Sequence, residues 1–220
     1  MEIPELSSVV QMKMGASQSE PIHLPPPALR GSISLEEAIA RRKSIRDFTA
    51  EPLTQAQLSQ ILWATQGLTD KGRGRRAIPS AGATYPLEIL VACGKNCVER
   101  IAEGLYRYHT GDHSLALHYK GDVRPDLARA ALNQEFIYEA PVDIIICAIY
   151  ERTTTRYGNR GERYIQMEVG HAGQNIYLQA ATLGLGTVAV GAFRDEQVRE
   201  ALRLDKQYRP LYIMPVGKPT

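Results

Sequence analysis

The chain is poor in cysteine, in tryptophan, in long apolar runs and in any excess of one charge, and each shortage excludes something. Its three cysteines, Cys93, Cys97 and Cys147, are few and odd in number, so no disulfide framework is expected. Cys93-x-x-x-Cys97 has no second ligand pair and Cys147 sits inside an apolar run, which argues against a zinc site and fits a reducing, cytoplasmic setting. No apolar run approaches the roughly 18 residues of a membrane span. The N-terminus shows no basic segment followed by an apolar one, so no signal peptide is expected. A net charge of +2 makes a nucleic-acid partner unexpected by composition. With 220 residues, 44% of them hydrophobic, the chain can still bury a substantial core in one large domain or two small ones.

Self-sufficient catalytic machinery is missing too. His109-x-x-x-His113 flanks a glycine turn without a glutamate partner, so exposed hairpin histidines are expected rather than a metal site. Gly184-x-Gly186 follows a helix instead of a strand and no helix starts there, which rejects a dinucleotide fingerprint. Ser80 lacks a nucleophile-elbow context. His171, near Glu168 and Asn175 in a helix, reads as a buried, hydrogen-bonded histidine. His23 and His118 show no partners. A chain without its own acid, base or metal can delegate chemistry to an organic cofactor and supply a phosphate clamp, a polar rim and an apolar wall.

What is present suits those parts. Residues 1–33, with Pro4, Pro21 and Pro25-Pro26-Pro27, read as an extended arm, and 34–220 as the folded domain. A helix is expected over 34–43, with Ser34 as N-cap, Glu37 as its capping-box partner and Leu35, Ala38 and Ile39 as its apolar stripe. It runs into Arg41-Arg42-Lys43-Ser44-Ile45-Arg46, four cations and a hydroxyl suited to charge-assisted hydrogen bonds with a phosphate, or simply a basic last turn that complements the helix dipole. A second helix begins at Thr54, capped by Gln57. Lys71-Gly72-Arg73-Gly74-Arg75-Arg76 is a basic loop, solvated or holding an anion.

Strands are expected at 87–92 and 142–150, a hairpin at 104–119, and further strands at 187–190 and 211–216. Helices are expected at 126–132, 164–183 and 195–202, the second rich in small residues. Without steady strand–helix alternation the class is α+β.

Four segments carry a resemblance: Arg41-Arg42-Lys43-Ser44-Ile45-Arg46-Asp47-Phe48, Pro79-Ser80-Ala81-Gly82-Ala83-Thr84-Tyr85-Pro86, Asn133 to Pro141, and Gly184-Leu185-Gly186 to Phe193. In this order and spacing the chain resembles the FMN-dependent nitroreductase family over about residues 34–217. Within it, the likeness is to the branch of SagB-type dehydrogenases and thiazoline/oxazoline oxidases. The resemblance implies a central, mainly antiparallel sheet flanked by helices, in an intertwined homodimer with FMN at the subunit interface. Arg42, Lys43 and Ser44 would clamp the phosphate and ribityl chain, and Arg46 would lie near flavin N1 and the O2 carbonyl. Pro79, Ser80 and Ala81 would come from the other subunit. Asn133 or Gln134 would bond the pyrimidine edge, Val190 would cover a flavin face, and the Gly191 N–H would point at N5. Lys218 or the Arg73–Arg76 loop would reach the phosphate. The helix 164–183 would form much of the dimer core. Ala83 departs from the asparagine of many members.

Implied activity is hydride transfer through flavin N5 in a ping-pong cycle, driven by NADH or NADPH and reducing nitroaromatic, quinone or related small-molecule acceptors. Two alternatives stand beside it: an azoline oxidase acting on heterocyclised peptides, with Tyr85, Tyr106 and Tyr108 as candidate acid/base or stacking residues, and a non-catalytic flavin-binding subunit.

Overall fold

A computed structural model describes residues 20–220. The elements, in chain order, are β1 (Ile22–His23), α1 (Leu35–Arg41), α2 (Gln55–Gln66), β2 (Leu68–Asp70), β3 (Arg75–Arg76), β4 (Leu87–Cys93), β5 (Gly104–His109) and β6 (Ser114–Tyr119). Then follow α3 (Arg124–Ala130), α4 (Phe136–Glu139), β7 (Val142–Ile149), α5 (Glu151–Tyr157), α6 (Arg160–Thr182), β8 (Gly186–Thr187), α7 (Asp195–Ala201) and β9 (Tyr208–Gly217). Seven strands form one sheet in the order β1-β6-β5-β4-β7-β9-β8, and every pairing in it is antiparallel.

The sheet is covered on both faces, and the period-2 alternation of its central strands shows why. Ile89, Val91, Ile144, Ile146, Met214 and Val216 point to one side, into a core with Leu58, Ile61 and Leu62 of α2 and Ile165, Val169 and Ile176 of α6. Leu90, Ala92, Ile145, Cys147 and Ile213 point to the other, against Leu127 of α3, Ile137 of α4 and Val198 of α7. Strands apolar on both faces are the sequence signature of a central layer. The α+β sandwich of helices on an antiparallel sheet is therefore the observed architecture.

Local signals set the helix ends. Thr54 caps α2 with both halves of a capping box in place, its side chain receiving the Gln57 N–H while Gln57 receives the Thr54 N–H. At α1 only half of the expected box forms. Ser34 Oγ accepts the Glu37 N–H at 3.1 Å, but the Glu37 carboxylate turns to Arg41 one turn on. Of the expected α1 stripe only Ala38 is buried, while Leu35 and Ile39 are 61% and 54% exposed. The small residues of α6 divide as well. Ala172, Gly173 and Ala180 pack on the chain's own core, a Cβ on Gly173 lying 3.3 Å from the Tyr212 ring, and only Gly170 faces open space.

Residues 20–33 lie against this chain. Ile22 and His23 pair with Leu115 and Ser114, Leu24 is buried, and the Ala28 N–H donates to Gln60 Oε1 at 2.8 Å. His113 is half-buried rather than exposed. Tyr108 Oη lies 2.8 Å from its Nδ1 and Ser59 Oγ 2.7 Å from its Nε2, and Ser59 donates to the Pro25 carbonyl, fastening this segment to α2.

Candidate cofactor site

Arg41 is used locally, paired with Glu37, so it belongs to the helix end. At Arg42 the helix stops and the chain becomes extended (φ −55°, ψ 121°). Ser44 then bridges Thr187, and the Ile45 N–H donates to the Thr187 carbonyl at 2.9 Å. Glycine at 186 permits this approach, because a Cβ there would stand 2.7 Å from Ile45 Cβ. Gly217 does the same further along, where a Cβ would meet Pro141 and the Phe48 ring. Gly186→Ala is accordingly expected to cost about 1–3 kcal/mol of overpacking, read as a lower denaturant midpoint at unchanged slope.

Tyr177 of α6 organises the end of this strand. Its hydroxyl accepts the Ala189 N–H at 2.8 Å and lies 3.0 Å from Ser44 Oγ. Having accepted from the backbone, it can donate its own proton to Ser44, which leaves the Ser44 O–H free to point outward. The Arg42 guanidinium sits 5.2 Å from the centre of the Tyr177 ring. A cleft of about 420 Å³ opens here, walled by Arg41, Arg42, Lys43, Tyr177 and Thr187.

Arg46 reaches the other side of the strand and lies 5.9 Å from the Phe136 ring centre. Gln134, just before α4, donates to the carbonyls of Ala131 at 2.8 Å and Ala192 at 3.1 Å, tying the α3–α4 loop to the 191–193 segment. In that loop Leu132 and Asn133 both hold left-handed backbone (φ 60° and 61°). Such a conformation costs roughly 1–2 kcal/mol at an ordinary residue. Val190 exchanges two hydrogen bonds with Ile213, and its side chain is buried in the second core, facing the protein interior. The exposed Gly191 N–H makes no hydrogen bond among the described residues. Lys218 is drawn to Glu51, Nζ to Oε2 at 2.5 Å, while its carbonyl receives the Thr49 N–H. Thus Arg42, Lys43, Ser44 and Arg46 share one irregular segment bridged to Thr187 at Ser44, Arg46 approaches α4 at Phe136, Gln134 before α4 bonds the Ala192 carbonyl next to Gly191, and Lys218 is paired with Glu51.

Pro79, Ser80 and Ala81 form a separate group on this chain. Ser80 Oγ accepts the Tyr85 N–H at 2.9 Å, Ala81–Ala83 makes one 3-10 turn, and Gly82, Ala83 and Tyr85 all have positive φ. Arg156 donates to the Gly82 carbonyl and Arg152 to that of Tyr85, holding the strained turn. Behind it lies Glu168 of α6, 2% exposed and with neither carboxylate oxygen hydrogen-bonded. Burial pushes its carboxyl up to about 7, opposed by nearby Ser80 and Arg76. Glu168 and Tyr177 are nine residues apart on one helix, so the two groups stand roughly 13 Å apart along it.

Sequence alone marks neither Tyr177 nor Glu168 as a site residue, whereas Arg76 belongs to the basic loop expected to hold an anion. An aromatic or acidic residue in a small-residue helix carries no local mark, and only the helix period relative to Gly173 and Ala180 gives a facing. His171 is exposed, contrary to expectation, because Glu168, Val169, Ala172 and Gly173 take the inward face. Among the described residues no helix is long and apolar enough to cross a membrane.

The model of the nitroreductase family matches residues 39–218. The chain is 51% identical over 186 residues to the candidate nitroreductase MJ1384 of Methanocaldococcus jannaschii, covering 84% of this chain and 91% of that one. It is 28% identical to the microcin B17-processing protein McbC of Escherichia coli over 67% of this chain and 56% of McbC. With the NADPH-flavin oxidoreductase of Vibrio harveyi it shares 26% identity, over 83% of this chain and 65% of the relative. The chain thus spans only about half to two thirds of those two. Among solved structures, a candidate nitroreductase from Ralstonia eutropha superimposes with a TM-score of 0.81 at 29% identity, covering 93% and 91% of the two chains. By sequence and fold the chain belongs to the nitroreductase family.

Proposed function

We propose that the protein is an FMN-dependent oxidoreductase that works as a homodimer in a ping-pong cycle, taking hydride from NADH or NADPH and passing it to a small nitroaromatic, quinone or related acceptor. One observation carries this reading. Arg42, Lys43 and Arg46 form no ion pair among the described residues, they share one segment with the exposed Ser44 hydroxyl, and the exposed Gly191 N–H makes no hydrogen bond among those residues. This donor set fits FMN, which brings a phosphate dianion and a ring edge rich in acceptors. Bound FMN would supply reversible hydride acceptance at N5.

The chain's residues then have separable tasks. Arg42, Lys43 and Ser44 hold the phosphate by charge-assisted hydrogen bonds. Arg46 places positive charge where the reduced ring becomes anionic, preorganised electrostatics that need no reorientation. The amides of Gln134 and Asn133 orient the ring edge, with the Gln134 N–H groups already committed to two carbonyls so that its Oε1 faces as acceptor. Pro79, Ser80 and Ala81 serve the partner's site. Support for two subunits comes from the roughly 13 Å between the two groups along α6 and from the outward Leu35, Ile39 and Met167.

A second reading, azoline oxidation of a peptide, is favoured by the strained Pro79–Pro86 turn and by the relation to a microcin-processing protein. Purified protein is expected to be yellow and to bleach with NADH or NADPH under anaerobic conditions. Bleaching only by a thiazoline peptide would select the second reading, and colourless protein that takes up no FMN would exclude both.

A further inference from the structure

The basic loop Lys71–Arg76 has no part in the site described so far. In the structure it is a hairpin, β2 to β3, and Arg76 at its base closes a small cavity of about 240 Å³. The other walls are Gln66 at the end of α2, Glu88 at the start of β4, and Arg107, Tyr108 and His109 at the end of β5. Within it the charges do not balance. Glu88 binds Arg107 of the cavity wall at 2.9 Å and also Arg152, outside the lining, at 2.7 Å, so one carboxylate serves two guanidinium groups. Arg76 makes no ion pair and no side-chain hydrogen bond among the described residues, and lies stacked 4.2 Å from the centre of the Tyr85 ring. Burial pushes its guanidinium below the usual arginine range, the direction expected of a half-buried cation lacking a close counter-charge. Gln66 is 2% exposed, and its Nε2 is buried with no hydrogen-bond partner. A buried donor without an acceptor costs about 1–3 kcal/mol, so it too calls for an acceptor.

We propose that this cavity is an anion subsite, in which Arg76 and the Gln66 amide, beside the Glu88-paired Arg107, receive a phosphate or carboxylate group of the substrate. Tyr85 supplies the connection. It belongs to the Pro79–Pro86 turn and is held by Arg76 on its ring and by Arg152 at its carbonyl. The exposed Lys71, Arg73 and Arg75 on the hairpin add positive potential that draws an anion toward the cavity. Glu168, also near Arg76, stays mostly protonated below about pH 7 and so does not cancel this charge. Assigning the anion to the substrate rests on the flavoenzyme reading. The preference of the cavity for an anion does not.

The test is calorimetric titration of the purified protein with inorganic phosphate at constant ionic strength, with flavin content read separately from visible absorbance. Wild type is expected to bind phosphate, and Arg76→Gln to bind it about tenfold or more weakly, as for a lost charged hydrogen bond. Arg76→Lys should recover part of the loss, and Gln66→Leu should weaken binding with the charge intact. Two further probes separate the sources: 2′,5′-ADP stands for the phosphates of a dinucleotide hydride donor, and succinate for a carboxylate-bearing acceptor. Whichever is more sensitive to Arg76→Gln identifies the group. No phosphate binding by folded wild type, or equal binding by wild type and Arg76→Gln, would overturn the subsite whether or not the protein carries FMN.

Discussion

Alanine at both Arg42 and Ser44 is expected to lower FMN affinity by about two to four orders of magnitude, from roughly 1.5–3 kcal/mol for each lost charge-assisted hydrogen bond. The effect should be almost wholly on binding. Arg42 has no carboxylate partner among the described residues, so removing it strands no buried charge. Ser44→Ala leaves Tyr177 with its bond from the Ala189 N–H, and the exposed end of the strand remains pinned by the Ile45–Thr187 bond. Arg41→Ala is the internal control. Among the described residues it pairs with Glu37 in an exposed i,i+4 pair, worth about 0.3–0.5 kcal/mol, so FMN affinity should barely move. Titration of flavin-stripped protein, followed by the change in flavin fluorescence, reads all three variants. Equal affinity in the double variant and wild type would remove the phosphate from this strand.

That the double variant could be chosen from sequence reflects a local signal. Four cations and a serine at a helix end lie within six residues, and the extended backbone after Arg42 keeps them on one strand. Other parts of the fold were legible for similar reasons. The Thr54–Gln57 box, the apolar runs of β4 and β7 and the glycine turn between β5 and β6 are all short-range patterns. The elements that sequence did not reveal depend on distant partners. α5 reads Glu-Arg-Thr-Thr-Thr-Arg-Tyr, a poor helix by intrinsic preference, yet it forms against α6 with Thr153 buried. β1 is two residues long and exists because β6 offers an edge, whereas β2 and β3 pair with each other and are too short for an alternation to show. Lys218 and Glu37 show the other limit. Each had a role by position, and each is taken by a nearer opposite charge, Glu51 in one case and Arg41 in the other. Val190 shows a third, since the two-residue alternation cannot say which face of a short segment meets the core.

The second large effect concerns stability against pH, and its sign follows from two carboxyl groups buried without hydrogen bonds. Glu168 is one, raised to about 7 by burial. Asp143, in the middle of the sheet, is the other, raised well above the ordinary aspartate range by burial despite Arg124, with Asp122 adding to the shift. Below about pH 3 both groups are largely protonated folded and unfolded, and neither affects the balance. As pH rises, the unfolded chain releases these protons while the folded chain keeps them, so the folded state binds more protons and stability falls with pH. The slope reaches about 1.4 kcal/mol per pH unit for each group. For Glu168 the loss runs between its unfolded value of 4.5 and about 7, on the order of 3 kcal/mol in all, and then levels off. For Asp143 the loss begins at its unfolded value of 3.8 and has the same sign.

Carboxylates whose acidity is strengthened by pairing in the folded state give the opposite slope. The contribution of the buried pair is therefore isolated by difference. Glu168→Gln keeps the shape and stays neutral, so relative to wild type it should gain stability steadily from about pH 5 to 7 and no further. Asp143→Asn should likewise gain stability relative to wild type as pH rises through and above the ordinary aspartate range. Urea midpoints of the three proteins across that range read the two windows directly. A Glu168→Gln difference that does not change with pH would mean that Glu168 is ionised throughout, with Arg76 as its counter-charge, and would take from Arg76 the vacancy on which the anion subsite depends.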